Sequence, residues 1–198
     1  GLAVSAGGAH SLALTADGSV WSWGGGGSGR LGHGDRQRQL LPKKVEAFAG
    51  QRVVAVSAGY FHSLAITADG AVWSWGNGVY GKLGHGDQQR QLLPKTDEAL
   101  AGQRVVAVSA GLYHSLALTT DGAVWSWGRG GDGRLGHGDF HQGQWQPNKI
   151  EAFYGQRVLA VSAGGAHSLA LTANGSVGSW GDGAFGTLGH GDWQAQLL

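Results

Sequence analysis

The sequence predicts an all-β protein, a β-propeller built from four tandem blades of about 52 residues. Three observations predict it. The segment A-V-S-A-G-x-x-H-S-L-A occurs four times, and its histidines at 10, 62, 114 and 167 are spaced by 52, 52 and 53 residues. A second motif, L-G-H-G-D, places His33, His85, His137 and His190 at the same three intervals, so the one extra residue lies between Asp139 and Pro147. Within each unit, short apolar runs alternate with turn residues, and no stretch has the apolar spacing of a helix.

The second unit shows the elements in order. VVAVSAG at 53–59 reads as a first strand, and HSLAIT at 62–67 reads as a second because Leu64 and Ile66 alternate with small or polar neighbours. Ala68-Asp69-Gly70 makes a tight hairpin, with Gly70 suited to the left-handed position of a bulged turn. AVWSWG, rich in branched and aromatic residues, is the third strand. After a glycine loop and Pro94, KTDEAL reads as the fourth, matching KKVEAF and NKIEAF in the neighbouring units. Asp97 stands where those units have Val45 and Ile150, which places that position in water at an outer edge. Four short antiparallel strands per unit are the content of one propeller blade. Residues 1–198 are therefore read as one domain, with units at approximately 1–52, 53–104, 105–157 and 158–198.

Composition excludes several other classes. Gly is 39 of 198 residues and Pro only 3, yet the glycines recur at fixed offsets among Trp, Val, Leu and Ala, unlike a linker or a collagen. A formal net charge of +1 gives no strong attraction to nucleic acid or to an anionic membrane, so neither is expected as a partner. No apolar run approaches the roughly 20 residues of a membrane-spanning helix. The absence of cysteine excludes disulfides and thioester chemistry in this chain and fits a reducing, intracellular compartment, cytoplasmic or nuclear. Gly24, Gly26 and Gly29 satisfy G-x-G-x-x-G, but the same pattern recurs in all four units and is followed by L-G-H-G-D instead of a helix. It therefore lacks the helix N-terminus that a phosphate cradle needs, and no cofactor is expected. Because the chain opens on a glycine inside a strand-like run, it is expected to be a segment of a longer polypeptide.

The joint pattern A-x-G-x-x-H-S-L-A-L-T-x-D-G-x-V-x-x-W-G, followed by G-x-L-G-H-G-D and a proline, resembles the repeat of the regulator of chromosome condensation (RCC1-like) family. That repeat also occurs in HERC-type ubiquitin ligases and in a plant ultraviolet-B photoreceptor. The resemblance spans essentially the whole chain and implies a propeller, usually of seven blades. Here there are four units, the last stops before its fourth strand, and Gly178 stands where Trp21, Trp73 and Trp125 occur. Open sheet edges attract further chains. The expected arrangement is therefore an arc of a larger ring, or a ring completed by self-association as a homo-oligomer, with tight four-bladed closure as the third solution.

Comparing the units with one another separates scaffold from variable positions. Scaffold histidines His10, His62, His114 and His167 are each expected to bond a backbone group between blades, and Trp23, Trp75, Trp127 and Trp180 to fill space there. No metal site is expected, because each histidine comes from a separate blade with no second ligand at metal spacing. No catalytic residue is assigned, since no serine sits on a nucleophile elbow. Differences between units collect before the strand-two histidine, inside the glycine loop and after G-H-G-D, and in an antiparallel blade these three places share one face. That face is expected to present Tyr60, Phe61, Val79, Tyr80, Leu112, Tyr113, Arg129, Phe140, Trp145, Phe185 and Trp193, flanked by Arg36, Arg38 and Arg90. Aromatic residues with arginine are the composition of protein-binding hot spots. The expected function is a non-catalytic scaffold for a protein partner. The resemblance supplies two alternatives: guanine-nucleotide exchange on a small GTPase, and ultraviolet sensing. The second would want tryptophan before the strand-two histidine, where this chain has Ala9, Phe61, Tyr113 and Ala166.

Overall fold

The computed structural model describes residues 3–140 and 143–198; His141, in the third variable set, lies outside them. The first blade comprises β1 (Ala3–Ala6), β2 (His10–Leu14), β3 (Val20–Gly24) and β4 (Gln39–Lys44). The second comprises β5 (Val53–Ala58), β6 (His62–Thr67), β7 (Val72–Gly76) and β8 (Gln91–Thr96), and the third β9 (Val105–Ala110), β10 (His114–Thr119), β11 (Val124–Arg129) and β12 (Gly143–Lys149). A fourth, three-stranded sheet contains β13 (Val158–Ala163), β14 (His167–Thr172) and β15 (Val177–Gly181). Every sheet is antiparallel and runs in chain order. On the outer side of β15, Gly181 bridges Gln196, at the place where the other blades carry a fourth strand.

The first strands lie side by side about a common centre. Gly8 N donates to Gly59 O at 3.1 Å, Tyr60 N to Gly111 O at 3.2 Å and Leu112 N to Gly164 O at 3.2 Å. The glycine that ends A-V-S-A-G permits this approach: a Cβ on Gly59 or Gly111 would stand 2.6 Å from the carbonyl oxygen of the next blade. The repeat unit is thus a radial blade, and the domain is a propeller arc of four of them.

The outer strand differs from the sequence reading. It is Gln91–Thr96 in the second blade, and the D-E-A-L part of K-T-D-E-A-L folds as a short 3-10 turn over Glu98–Leu100. Thr96 and Lys95 pair with Trp73 and Ser74, after which the register shifts and Gln91 pairs with Gly76. Pro94 sits inside this strand because an outermost strand needs no N–H on its far side. The turn then tucks Leu100 into the interior, as it does Phe48 and Phe153 in the neighbouring blades. Its first position therefore points inward, and Val45 and Ile150 are buried there. Asp97, expected in water, is only 4% exposed. Its Oδ1 accepts from Ala99 N at 3.1 Å, and Oδ2 has no hydrogen-bond partner among the described residues. Burial pushes this carboxyl up to about 7.

Hydrophobic cores form between blades, not within them. The first joins Leu12, Leu14, Val20, Val45 and Phe48 of the first blade to Val53, Ala58, Ala65 and Trp75 of the second. Equivalent clusters, each closed by a fully buried Trp127 or Trp180, join the second blade to the third and the third to the fourth. Phe48 meets Trp75 edge-on at 5.7 Å, and Phe153 meets Trp180 at 5.6 Å.

A polar relay accompanies each core. His10 Nε2 meets Ser63 Oγ at 2.7 Å, His62 meets Ser115 at 2.8 Å and His114 meets Ser168 at 2.9 Å. The partner is a hydroxyl, where the sequence suggested a backbone group. Each hydroxyl donates in turn to the carbonyl of Arg30, Lys82 or Arg134. The Trp75 and Trp180 indoles donate to the carbonyls of Arg30 and Arg134 at 2.8 and 2.9 Å. With its proton committed to a carbonyl, each serine accepts from the imidazole, which is therefore protonated on Nε2, and Nδ1 has no partner among the described residues. Burial holds His10 down to about 4 and His114 to about 3, and it holds His62 well below the usual range. Outside the three junctions the same residue types are half-exposed: Ser11 and Trp23 on the first blade, His167 on the fourth.

Two outcomes follow from this geometry. Ser115→Ala strands the buried His62 Nε2 and deprives the Lys82 carbonyl, so urea denaturation should register a loss of about 1–3 kcal/mol, whereas Ser11→Ala changes stability by under ~0.5 kcal/mol. The second outcome concerns pH. The three lowered histidines contribute stability that is complete above 6.5 and is lost as pH falls, through about 4 for His10 and about 3 for His114. Asp97, raised from 3.8 to about 7, has the opposite sign: its contribution is complete below 3.8 and is lost as pH rises to about 7. Urea midpoints measured across this range should show Asp97→Asn gaining on the parent chain as pH rises and then levelling off. A pH-independent difference would contradict the burial of this carboxyl.

Candidate functional site: an aromatic and cationic ladder on one face

The connections from first to second strand and from third to fourth strand emerge on one face of the arc. Phe61 and Tyr113 immediately precede the strand-two histidine in adjacent blades, so their rings come together, stacked at 5.9 Å with 22° between planes. Tyr60 tilts against Phe61 at 6.0 Å. Tyr80, from the glycine loop of the second blade, overhangs the third and meets Tyr113 edge-on at 5.4 Å. Cations occupy the ring faces: Arg30 lies 5.4 Å from the Phe61 centroid, Lys82 Nζ 5.5 Å from Tyr113, and Arg129 5.3 and 5.7 Å from Tyr80 and Tyr113. A guanidinium over an aromatic face is held by the ring quadrupole while its edge keeps its donors.

Backbone geometry presents Tyr80. Its φ is 65°, a left-handed conformation that is unfavourable for a bulky residue. Donation of its amide to Gln88 Oε1 at 2.9 Å and the contact with Tyr113 hold it there. Phe185 occupies the same position in the fourth blade, with φ 64°; among the described residues no blade follows to receive its ring, and it is 100% exposed.

The basic residue before L-G-H-G-D in the first three units escaped the sequence reading. Arg30 Nη1 donates to Tyr60 O at 3.0 Å and Arg134 Nη1 to Gly165 O at 2.8 Å, so each latches its blade to the loop of the next. Arg134 is also ion-paired with Asp132. Lys82 makes its hydrogen bonds within its own blade, donating to Asn77 Oδ1 at 2.6 Å and to Val79 O at 3.1 Å, and burial lowers its ammonium to about 7. The signal was present in G-R-L-G, G-K-L-G and G-R-L-G, where a basic residue recurs between glycines in three of four units.

Beside the ladder lies an open cleft of about 600 Å3 lined by Tyr80, Gln88, Arg129, Gly131, Gly143 and Trp145. Trp145 is 47% exposed. The structure therefore brings together Tyr60, Phe61, Tyr80, Tyr113, Arg129 and Trp145. The others stand apart. Leu112 lines the mouth of the central channel, and Val79 is exposed at its loop tip. Phe140 lies against Gly133 on the side of the fourth blade, and Trp193 is exposed on that blade.

Catalytic geometry is not what the G-H-G-D histidines provide. His33, His85 and His137 each meet Ser22, Ser74 or Ser126 at 2.9 Å, but these buried hydroxyls donate to the carbonyls of Leu31, Leu83 and Leu135. Their protons are committed to bracing the loop. Among the described residues no three His, Cys, Asp or Glu side chains gather as a metal would require.

The fold defines a β-propeller repeat protein, with aromatic rings and cations gathered on one loop face. The profile described as RCC1-like domain matches residues 2–197, and the chain belongs to that family. It is 46% identical over 192 residues to the human E3 ubiquitin-protein ligase HERC2, covering 96% of this chain and 4% of that protein. It is 42% identical to the ultraviolet-B receptor UVR8 of Arabidopsis thaliana over 198 residues, covering all of this chain and 45% of the receptor. The chain thus spans less than half the length of these relatives. Among solved structures, that of yeast RCC1 (Prp20) bound to Kap60 matches with a TM-score of 0.84 at 27% identity, covering 98% of this chain and 46% of the other.

The ladder is expected to couple the second and third blades energetically. A double-mutant cycle with Phe61→Leu and Tyr113→Leu, read by urea denaturation, should return a coupling of about 0.5–1.5 kcal/mol. Additive effects would mean that the stacking contributes nothing beyond burial.

Proposed function

We propose that this domain is a protein-interaction scaffold without chemistry of its own, and that the loop face bearing the Phe61–Tyr113–Tyr80 ladder receives the partner. One observation carries the reading: six residues at positions that differ between near-identical blades, Tyr60, Phe61, Tyr80, Tyr113, Arg129 and Trp145, gather into one aromatic and cationic surface beside an open cleft. Residues free to vary in a repeat are those the scaffold does not need, and aromatic side chains with arginine are the groups that dominate binding energy at interfaces. The yeast RCC1 relative, matched over 98% of this chain, was solved with a protein, Kap60, bound to it. That supports a protein as the class of partner.

Crosslinking and affinity capture test the reading. Tyr60→Ala, Phe140→Ala and Trp145→Ala combined should abolish capture of partners, while Tyr154→Ala, an exposed aromatic outside the ladder in the turn after β12, should leave it intact. Capture unchanged by the loop-face variant would overturn the assignment. Accelerated release of guanine nucleotide from a small GTPase would instead assign the exchange activity.

A further inference from the structure

We propose that the cleft beside Arg129 recognises an acidic peptide segment, with an Asp or Glu carboxylate on the Arg129 guanidinium and an apolar side chain between Tyr80 and Trp145. This rests on the loop-face reading and names the chemistry of its ligand. Arg129 differs from the other cations of the ladder in one respect. Arg30 donates to the Gly27 and Tyr60 carbonyls, Lys82 donates to Asn77 and Val79, and Arg134 holds the Gly165 carbonyl and the Asp132 carboxylate. Arg129 lies against two tyrosine rings and has neither a carboxylate nor a carbonyl partner among the described residues. Its donors are open at the wall of the cleft.

The position is not part of the blade scaffold. Gly25, Asn77 and Asp182 occupy it in the other three units, so a guanidinium there serves no need common to the fold. A planar guanidinium fixed by two rings has already lost much of its side-chain freedom, and it presents the fork that a carboxylate fits bidentately. Of the nearby acids, Asp132 is engaged by Arg134, and Asp87 caps the turn through the Gln89 amide at 2.7 Å. The remaining walls, Tyr80 and the half-exposed Trp145, are aromatic, so the complementary ligand is negative at one end and apolar at the other.

Fluorescence anisotropy with the intact 198-residue chain tests this. The probes are short fluorescein-labelled peptides with amidated C-termini, each with a central leucine flanked by Glu, by Gln or by Lys. The Glu peptide should bind about tenfold more tightly than the Gln peptide, the Lys peptide should be weakest, and added salt should narrow the differences. Arg129→Gln should weaken the Glu peptide about tenfold and leave the Gln peptide within about twofold, with Arg129→Lys in between because it keeps the charge and loses the planar fork. Trp145→Ala should weaken the Glu and Gln peptides alike, which separates the apolar contact from the charge. Equal affinities for the three peptides, no binding of any of them, or a Glu peptide indifferent to Arg129→Gln would overturn the proposal. If partner capture is still abolished by the Tyr60, Phe140 and Trp145 variant while the peptides fail, only the acidic specificity falls. Capture that survives that variant removes the loop-face reading itself.

Discussion

A blade of this protein has two apolar faces and no means of covering either by itself, so its interior exists only where a second blade is pressed against it. Each of the three cores joins aliphatic residues of two adjacent blades and takes its buried tryptophan from the second of them. The histidine–serine–carbonyl relays lie at the same junctions and fix how the faces meet, because the hydroxyl can accept from the imidazole Nε2 and donate to the carbonyl in one arrangement only. Burial of the histidines costs their charge, and the depressed pKa values report that cost.

This dependence also explains where variation is tolerated. The histidine, serine and tryptophan of the junctions recur in every unit. Loops on the upper face are tied to the next blade through the Arg30 and Arg134 latches, while the residues at their tips differ from unit to unit. Tyr80 shows what such a tip can do: the glycine loop carries a large ring in a left-handed conformation onto the following blade, where Tyr113 and Arg129 meet it. Phe185 has the same backbone conformation, and among the described residues no ring of a following blade meets it.

Much of this was legible in the sequence. The 52-residue spacing, the hairpin glycines and the alternation of HSLAIT placed strands one to three, and the coincidence of variable positions on one face followed from the antiparallel order. The outer strand was not legible, because a register shift opposite Ser74 and Gly76 lets it start earlier and include Pro94, which pattern reading takes as a boundary. Asp97 was misread for a related reason. A polar residue in an otherwise apolar column ordinarily marks water, yet the turn after β8 directs that position inward whatever occupies it. Arg30, Lys82 and Arg134 were hidden by the opposite bias, since long charged residues in glycine loops read as solvated.

Native-state hydrogen exchange resolved by residue tests the junction account most directly. If cores belong to junctions, the strand-two amides of the second and third blades, around Leu64 and Leu116, share the greatest protection and open in one cooperative step, while β1 and β15 exchange through smaller openings. Equal protection in all four blades, each opening independently of its neighbours, would contradict it.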